Sequence, residues 1–391
     1  MATPRVDPAK VTICRNYIDS IARAQDPTVL DALRRHAAAV PPDHVTLSIG
    51  YSSVVALPFH IAALRTGTIK NWVGVSLDRN ASPGAHMGAA LADYARESGV
   101  PFTPLAPVNA VLAGRESEIP AEIMSAVEAM RQGAGRVSLI ESIAFATLLM
   151  PPGQDPLSVV NLKKNGRLVR MSVGVATDTQ RDMTMNVMGD NPDVWRTLLK
   201  GANLLGPESI GASFSAWMDF GAYGLTALAK RRLEARNVEW NDAHADSLGR
   251  HRVVMQPATI TPALDKIPGG LLLGIESILQ RRALGDTLDF ANIGALALLG
   301  IVDPVFVHTQ LAREMNGSVV GFVDKERQAW PAIAKKFEDL ERAVPADLTD
   351  EMEGAESARI LAETFDWPDD WRSYLAPITM MESVMEAPPA A

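Results

Sequence analysis

A predominantly helical α+β chain is what the sequence predicts, and three observations carry it. Apolar runs of strand length alternate with runs of helix length through the first 115 residues. An Asn165-Gly166 pair stands between two segments of period-two apolar spacing. Beyond Met188–Asp193 the spacing is mostly helical to the end of the chain.

In chain order, His44–Gly50 (HVTLSIG) reads as a strand and Val54–Arg65 as a helix stopped at Gly67. Trp72–Leu77 (WVGVSL) reads as a second strand. Ser82 is placed to cap a helix with Pro83 at its first position, running to Glu97 and ended by Gly99. Pro101–Leu105 is a third short strand, so the order β-α-β-α-β is compatible with a small parallel sheet in the N-terminal third. Residues 120–150 look helical, with Ile123, Val127 and Met130 on one stripe. After the loop Pro151–Pro156 comes a β-hairpin near residues 159–175. Val169, Met171, Val173 and Val175 alternate there with Leu168, Arg170, Ser172 and Gly174, so one face is buried. The domain organisation expected is 1–150 as a mixed N-terminal domain and 157–345 as a mainly helical domain opening with the hairpin. Residues 346–391 form an acidic C-terminal arm, partly disordered.

A chain of 391 residues with 47% hydrophobic and 21% charged residues is long enough for two or three cores and ordinary for a folded protein. The single cysteine, Cys14, excludes an internal disulfide and a cysteine-cage metal site, and agrees with a reducing compartment. The N-terminus lacks an apolar signal core. Two uncharged apolar stretches, His44–Leu64 and Phe290–Val302, are interrupted by polar residues or too short, and read as buried elements rather than membrane spans.

Charge is sorted along the chain. Residues 1–159 hold 13 basic and 14 acidic side chains, residues 160–285 hold 16 and 12, and residues 286–391 hold 8 and 20. A basic middle attracts polyanions, and an acidic arm seeks or masks basic surface. The basic residues fall in three clusters: Lys163, Lys164, Arg167 and Arg170 around the hairpin tip; Lys230, Arg231, Arg232 and Arg236 on a helix; and Arg250, Arg252, Arg281 and Arg282 beyond it. A two-residue turn at Asn165-Gly166 sets Lys164 opposite Arg167, a like-charge pair that an anion would relieve. These twelve residues are the expected contacts to a nucleic-acid backbone. In the arm, Phe365, Trp367 and Trp371 are placed either to anchor self-association in a partner groove or to dock on their own core.

Signatures of catalysis are sparse. The seven histidines include no pair at helical metal-binding spacing, and no G-x-S-x-G is present. The strand-turn-helix at Ser48, Gly50 and Ser52, with Asp78 after the next strand, has the layout of a nucleotide-binding turn. It lacks the G-x-G-x-x-G and G-x-x-x-x-G-K-[ST] fingerprints, so neither a cofactor nor a metal is expected.

The layout of helix-rich lobes, a basic middle and a terminal arm resembles the nucleoproteins and coat proteins of RNA viruses. That resemblance implies a non-enzymatic, self-associating protein, cytoplasmic or within a virion, that packages single-stranded RNA through its basic residues. Two other readings stand beside it. One is an enzyme with a Rossmann-like N-terminal half, such as an S-adenosylmethionine-dependent methyltransferase, using Ser48, Gly50, Ser52 and Asp78. The other is a scaffold whose acidic arm binds a basic partner. The net charge of −9 counts against the first.

Overall fold

The structure is a computed structural model. It describes residues 6–76, 83–105, 108–114, 118–131, 133, 135–143, 149–216, 224–258, 260, 264, 267–303, 313–315, 319–321 and 324–385. Two helices, α1 (Pro8–Ala24) and α2 (Pro27–Ala37), open it, each with an aspartate cap and a proline in its first turn. Then β1 (Val45–Ile49), α3 (Leu57–Thr66), β2 (Asn71–Val75), α4 (Pro83–Glu97) and β3 (Phe102–Leu105) follow the β-α-β-α-β order expected. Gly67 ends α3 in the left-handed conformation, φ 71°, which a side chain would strain. The next elements are α5 (Ala121–Arg131), β4 (Val137–Glu141), the hairpin β5 (Leu157–Leu162) and β6 (Leu168–Val173), α6 (Asp178–Met185) and α7 (Asn191–Gly201).

Beyond residue 193 the chain is mostly helical, as expected, but strands that the sequence did not announce stand between the helices. β7 (Ile210–Ala216) and β8 (Arg250–Gln256) flank α8 (Gly224–Leu248), and β9 (Arg313–Met315) and β10 (Val319–Gly321) follow α9 (Gly270–Ala283) and α10 (Phe290–Val302). The sheet is therefore not a short N-terminal one. Among the described residues it has eight strands in the order β3-β2-β1-β4-β7-β8-β10-β9, with only the β9–β10 pair antiparallel. The run IGASFSA of β7 is poor in β-branched residues, and β8 opens on charge. Pairing between neighbours, not local propensity, makes them strands. The mixture of α and β structure is as expected; the extent of sheet is not.

Strands β1, β2 and β4 are buried along their whole length because helices cover both faces. One core joins α1, α3, α4 and α10 to one face through residues such as Phe59, Ile140, Phe214 and Leu298. The other face packs Leu47, Leu139, Trp195 and Trp240 against α5, α7 and α8. A third core gathers the hairpin, α9, α11 (Asp324–Ala343), α12 (Gly354–Phe365) and the turn at Trp371–Leu375 that leads into α13 (Ala376–Met385). No described helix is long and apolar enough to cross a membrane.

The hairpin register also differs from expectation. Leu162 pairs with Leu168, and Lys163 N–H donates to Arg167 O at 2.8 Å, so Lys163, not Lys164, faces Arg167. The loop holds three residues, with Gly166 at φ 86°. That is the turn-plus-bulge closure in which a left-handed glycine follows a tight turn.

Candidate functional site

Strand order reverses between β1 and β4: β2 and β3 lie on one side of β1, and β4, β7 and β8 on the other. Crossovers leave such a pair toward opposite faces, and a crevice opens at the carboxyl ends. The residues there are the turn Gly50–Ser53 after β1, Ser76 after β2, and Glu141, Ser142 and Ile143 at the end of β4.

The turn is held tightly. Gly50 has φ +77°, and a Cβ on it would stand 3.2 Å from Ser142 Oγ. Its N–H donates to Val75 O, its carbonyl accepts from Ser53 N–H, and Ser142 Oγ donates to the same carbonyl, each at 2.8 Å. Ser52 Oγ and Ser76 Oγ lie 3.5 Å apart. Tyr51 does not fill the crevice. Its ring is buried beside Trp72 and Phe102, where Gly74 and Gly88 make room for it: a Cβ on Gly88 would stand 2.5 Å from the Tyr51 hydroxyl. Of the four residues named for this turn, Ser48 is buried and accepts from Trp72 Nε1 at 2.9 Å, so it supports the core. Gly50 and Ser52 line the crevice end of β1, and Asp78 lies outside the described residues.

Beneath the crevice, on the α7/α8 face, sits a group of buried charges that sequence reasoning missed as a unit. Leu139 packs into that face and Ile140 into the opposite one, so strand alternation sends Glu141 to the α7/α8 side. Burial pushes the Glu141 carboxyl up to about 7, against the opposing pull of Lys230, the Ile143 N–H, Asn191 and Arg196. Its Oε1 has no hydrogen-bond partner among the described residues. Lys230 is buried, donates to Phe214 O at 2.7 Å, and is pushed down by burial while Glu141 and Glu234 pull it up. Arg196 is likewise lowered to about 10 by burial and donates to Asn237 Oδ1 at 2.7 Å. Ser213 Oγ and His251 Nε2 meet at 2.9 Å behind them. An acid closing an apolar strand (VSLIE) and a lysine within an apolar helical stretch are the only sequence signals of this group.

The expected nucleic-acid contacts are dispersed by the fold. Lys164 pairs with Glu382, Arg167 with Glu351 at 3.7 Å, and Arg170 with Glu341 at 2.6 Å. Arg170 also donates to the carbonyls of Glu341, Val344 and Pro345. Lys163 stands half-buried at the hairpin tip. Lys230, Arg252 and Arg281 are buried, and Arg281 pairs with Asp286 at 2.9 Å. Arg232 and Arg236 face Asp190, Arg282 donates to Tyr374 Oη, and Arg231 and Arg250 are exposed. Basic middle and acidic end thus meet within one molecule. Phe365 and Trp371 are buried in the third core, and Trp367 Nε1 donates to the buried Glu276 carboxylate at 2.8 Å. Among the described residues no three His, Cys, Asp or Glu are grouped to hold a metal ion.

No protein-family model matches the chain, and no curated protein matches it in sequence. Solved structures do. The trans-2-enoyl-CoA reductase of Clostridium acetobutulicum, solved with NADH, superposes with a TM-score of 0.66 at 14% identity, covering 100% of this chain and 94% of its own. The trans-2-enoyl-CoA reductase of Treponema denticola, solved with NAD, gives 0.67 at 16% identity over 100% and 96%. This likeness overturns the coat-like, RNA-packaging reading and its placement in a virion. An enzyme with a Rossmann-like half, the alternative given above, agrees better. The chain is similar in fold, from end to end, to NAD-binding reductases.

Proposed function

We propose that this protein is an NAD(H)-dependent oxidoreductase that reduces the carbon–carbon double bond of an enoyl thioester. The observation that carries the reading is the whole-length likeness, which extends beyond the dinucleotide-type sheet to the hairpin and C-terminal helices. The crevice supports it. Gly50, at φ +77°, brings backbone close against Ser142 where a Cβ would be strained and crowded, as the first glycine of a dinucleotide-binding turn is. Ser52 and Val55 stand where the fingerprint has its second and third glycines. The hydroxyls of Ser52, Ser76 and Ser142 gather at that turn and supply polar contacts in place of bare backbone.

In this reading Gly50, Ser52, Ser76 and Ser142 hold the dinucleotide, and Asp78 follows β2 where a ribose-binding acid belongs. When bound, the nicotinamide supplies a hydride. The chain's own part is to hold the dinucleotide at the turn and to orient the acceptor in the crevice at the carboxyl ends of β1 and β4.

The test is binding followed by turnover. NADH at about 100 times its dissociation constant should stabilise the protein by about 2.7 kcal/mol in a thermal shift, with S-adenosylmethionine giving none. Oxidation of NADH should then depend on added trans-2-enoyl-CoA. Gly50→Ala, strained at φ +77° and crowding Ser142, should weaken NADH binding about tenfold while the protein stays folded. Absence of any NADH or NADPH binding would overturn the proposal.

A further inference from the structure

The crevice leaves a second opening in the molecule unused. A cavity of about 220 Å³ lies between the end of α9, the start of α10 and the turn that leads into α13, and shares no lining residue with the crevice. Its apolar lining comes from Ile260, Ile278, Leu288, Phe290, Ile293 and Pro377. Two arginines face each other in character across it, one buried and one exposed. Arg281 is 4% exposed. Its Nη1 donates to Asp286 at 2.9 Å and its Nη2 to Ala258 O at 3.3 Å, but its Nε has no partner among the described residues. A buried donor without an acceptor costs free energy that an oxygen atom of a ligand would recover. Arg282 is exposed, with its guanidinium 5.2 Å from the Tyr374 ring centre and Nη1 donating to Tyr374 Oη at 2.6 Å. That bond uses one of the five N–H donors of a guanidinium. The two acids that line the cavity are already engaged. Asp286 receives Arg281 and the Leu288 N–H, and Asp289 caps α10 by accepting from the Asn292 N–H, each backbone bond at 2.8 Å.

We propose that this cavity binds a medium-chain monocarboxylate, with its chain against α9 and α10 and its carboxylate held by Arg281 and Arg282. Size sets the chain. An apolar cavity of about 150 Å³ holds a six-carbon ring, so 220 Å³ takes a chain of about eight carbons. Charge sets the head. A purely apolar ligand would leave the Arg281 Nε orphaned, and a carboxylate offers it and Arg282 an acceptor oxygen each. With Asp286 neutralised by Arg281, Arg282 is the unopposed charge beside the apolar walls, which suits one negative charge rather than several. The site takes in nothing of the dinucleotide turn, so it stands whether or not the protein is a reductase. A ligand there would touch α9, α10 and the segment Ser373–Pro377 together, and so hold the C-terminal region against the rest of the molecule.

Calorimetric titration of the full-length protein with sodium octanoate, without dinucleotide, is the test. One site per chain is expected. From butyrate to octanoate each added methylene should tighten binding about fourfold, and dodecanoate should gain nothing further because the cavity is full. Octanol, with no charge, should bind about tenfold more weakly than octanoate. Arg282→Gln should cost octanoate about tenfold, while Tyr374→Phe, which removes the arginine's hydrogen bond and keeps its charge, should bind within about twofold of wild type. Arg372→Gln, an exposed arginine outside the lining, should leave affinity unchanged and so controls for general attraction of anions. Ile278→Phe, which fills the cavity, should abolish binding while circular dichroism shows the fold intact. The Nε–H resonance of Arg281, assigned by its loss in Arg281→Lys, should shift as octanoate is added. Absence of saturable octanoate binding, or binding that neither Arg282→Gln nor Ile278→Phe weakens, would overturn the proposal. Mutual exclusion of octanoate and NADH would also overturn it, because the cavity would then belong to the dinucleotide site. Should Ile278→Phe misfold, Arg282→Gln and the Arg281 resonance decide the question without it.

Discussion

His60 shows what a single residue costs this fold. It sits on α3 at 0% exposure, against Phe59 and Trp72, and neither ring nitrogen has a hydrogen-bond partner among the described residues. Burial drives its pKa down to about 3, so the folded protein keeps it neutral. The unfolded chain binds that proton near the ordinary value of 6.5, so stability from this site is full above that value and is lost as pH falls toward 3. His60→Leu, of similar volume and without polar atoms, should raise stability at pH 7 by about 1–3 kcal/mol and flatten the acid side of the stability curve. Denaturant titrations across pH would check both. A loss of stability would show that the imidazole has a polar partner after all. In the sequence His60 stands on an apolar helical stretch. Its burial was legible from the apolar helix, but its lack of partners was not.

At the scale of elements, α3 deserves the closest comparison because it carries the Gly50 turn at its head. It packs on α10 through Gly294, where a Cβ would stand 2.4 Å from Pro58 Cβ and 2.5 Å from Phe59 N. Backbone cannot yield as a flexible side chain does. Gly294→Ala should therefore destabilise by about 1–3 kcal/mol despite alanine's higher helix propensity. It should also weaken NADH binding, because displacing α3 displaces the turn. Calorimetry and dinucleotide fluorescence on one preparation would test the link; unchanged values for both would mean that the two helices separate freely. The boundaries of α3 and α4 were readable because Gly67 and Pro83 mark them chemically. β7 was not, because its Gly, Ala and Ser residues carry no strand preference and their pairing partners lie in β4 and β8.

Across the whole molecule, the charge sorting so visible in the sequence closes on itself. The hairpin reaches the C-terminal region through Lys164–Glu382, Arg167–Glu351 and Arg170–Glu341. Surface pairs such as the first two contribute about 0–1 kcal/mol each, and only Arg170, largely buried and bonded also to three backbone carbonyls, is tied more firmly, so apolar burial carries most of the docking. Phe365, Trp371, Leu375 and Ile378 supply it against Leu162, Leu168 and α9, and Val384 reaches the core under α1. Deleting residues 346–391 should therefore uncover the third core and lower the melting temperature sharply, with aggregation on heating. Scattering and circular dichroism would decide. A truncated protein with unchanged melting would return the region to the status of a solvated arm.

The sequence by itself determined the N-terminal β-α-β-α-β order, the hairpin and the helix ends, because glycine, proline and period-two spacing act within a few residues. It also displayed the residues of the crevice turn without the fingerprint that would have announced them. Only the tertiary structure decided that the sheet continues through β4, β7, β8 and β10, that Lys163 rather than Lys164 faces Arg167, and that the basic middle is answered by the chain's own acids. It alone brought Glu141 and Lys230 together. The reason is common to all of these: strand pairing, charge neutralisation and desolvation are set by what lies alongside in space, and in this chain those neighbours come from distant segments.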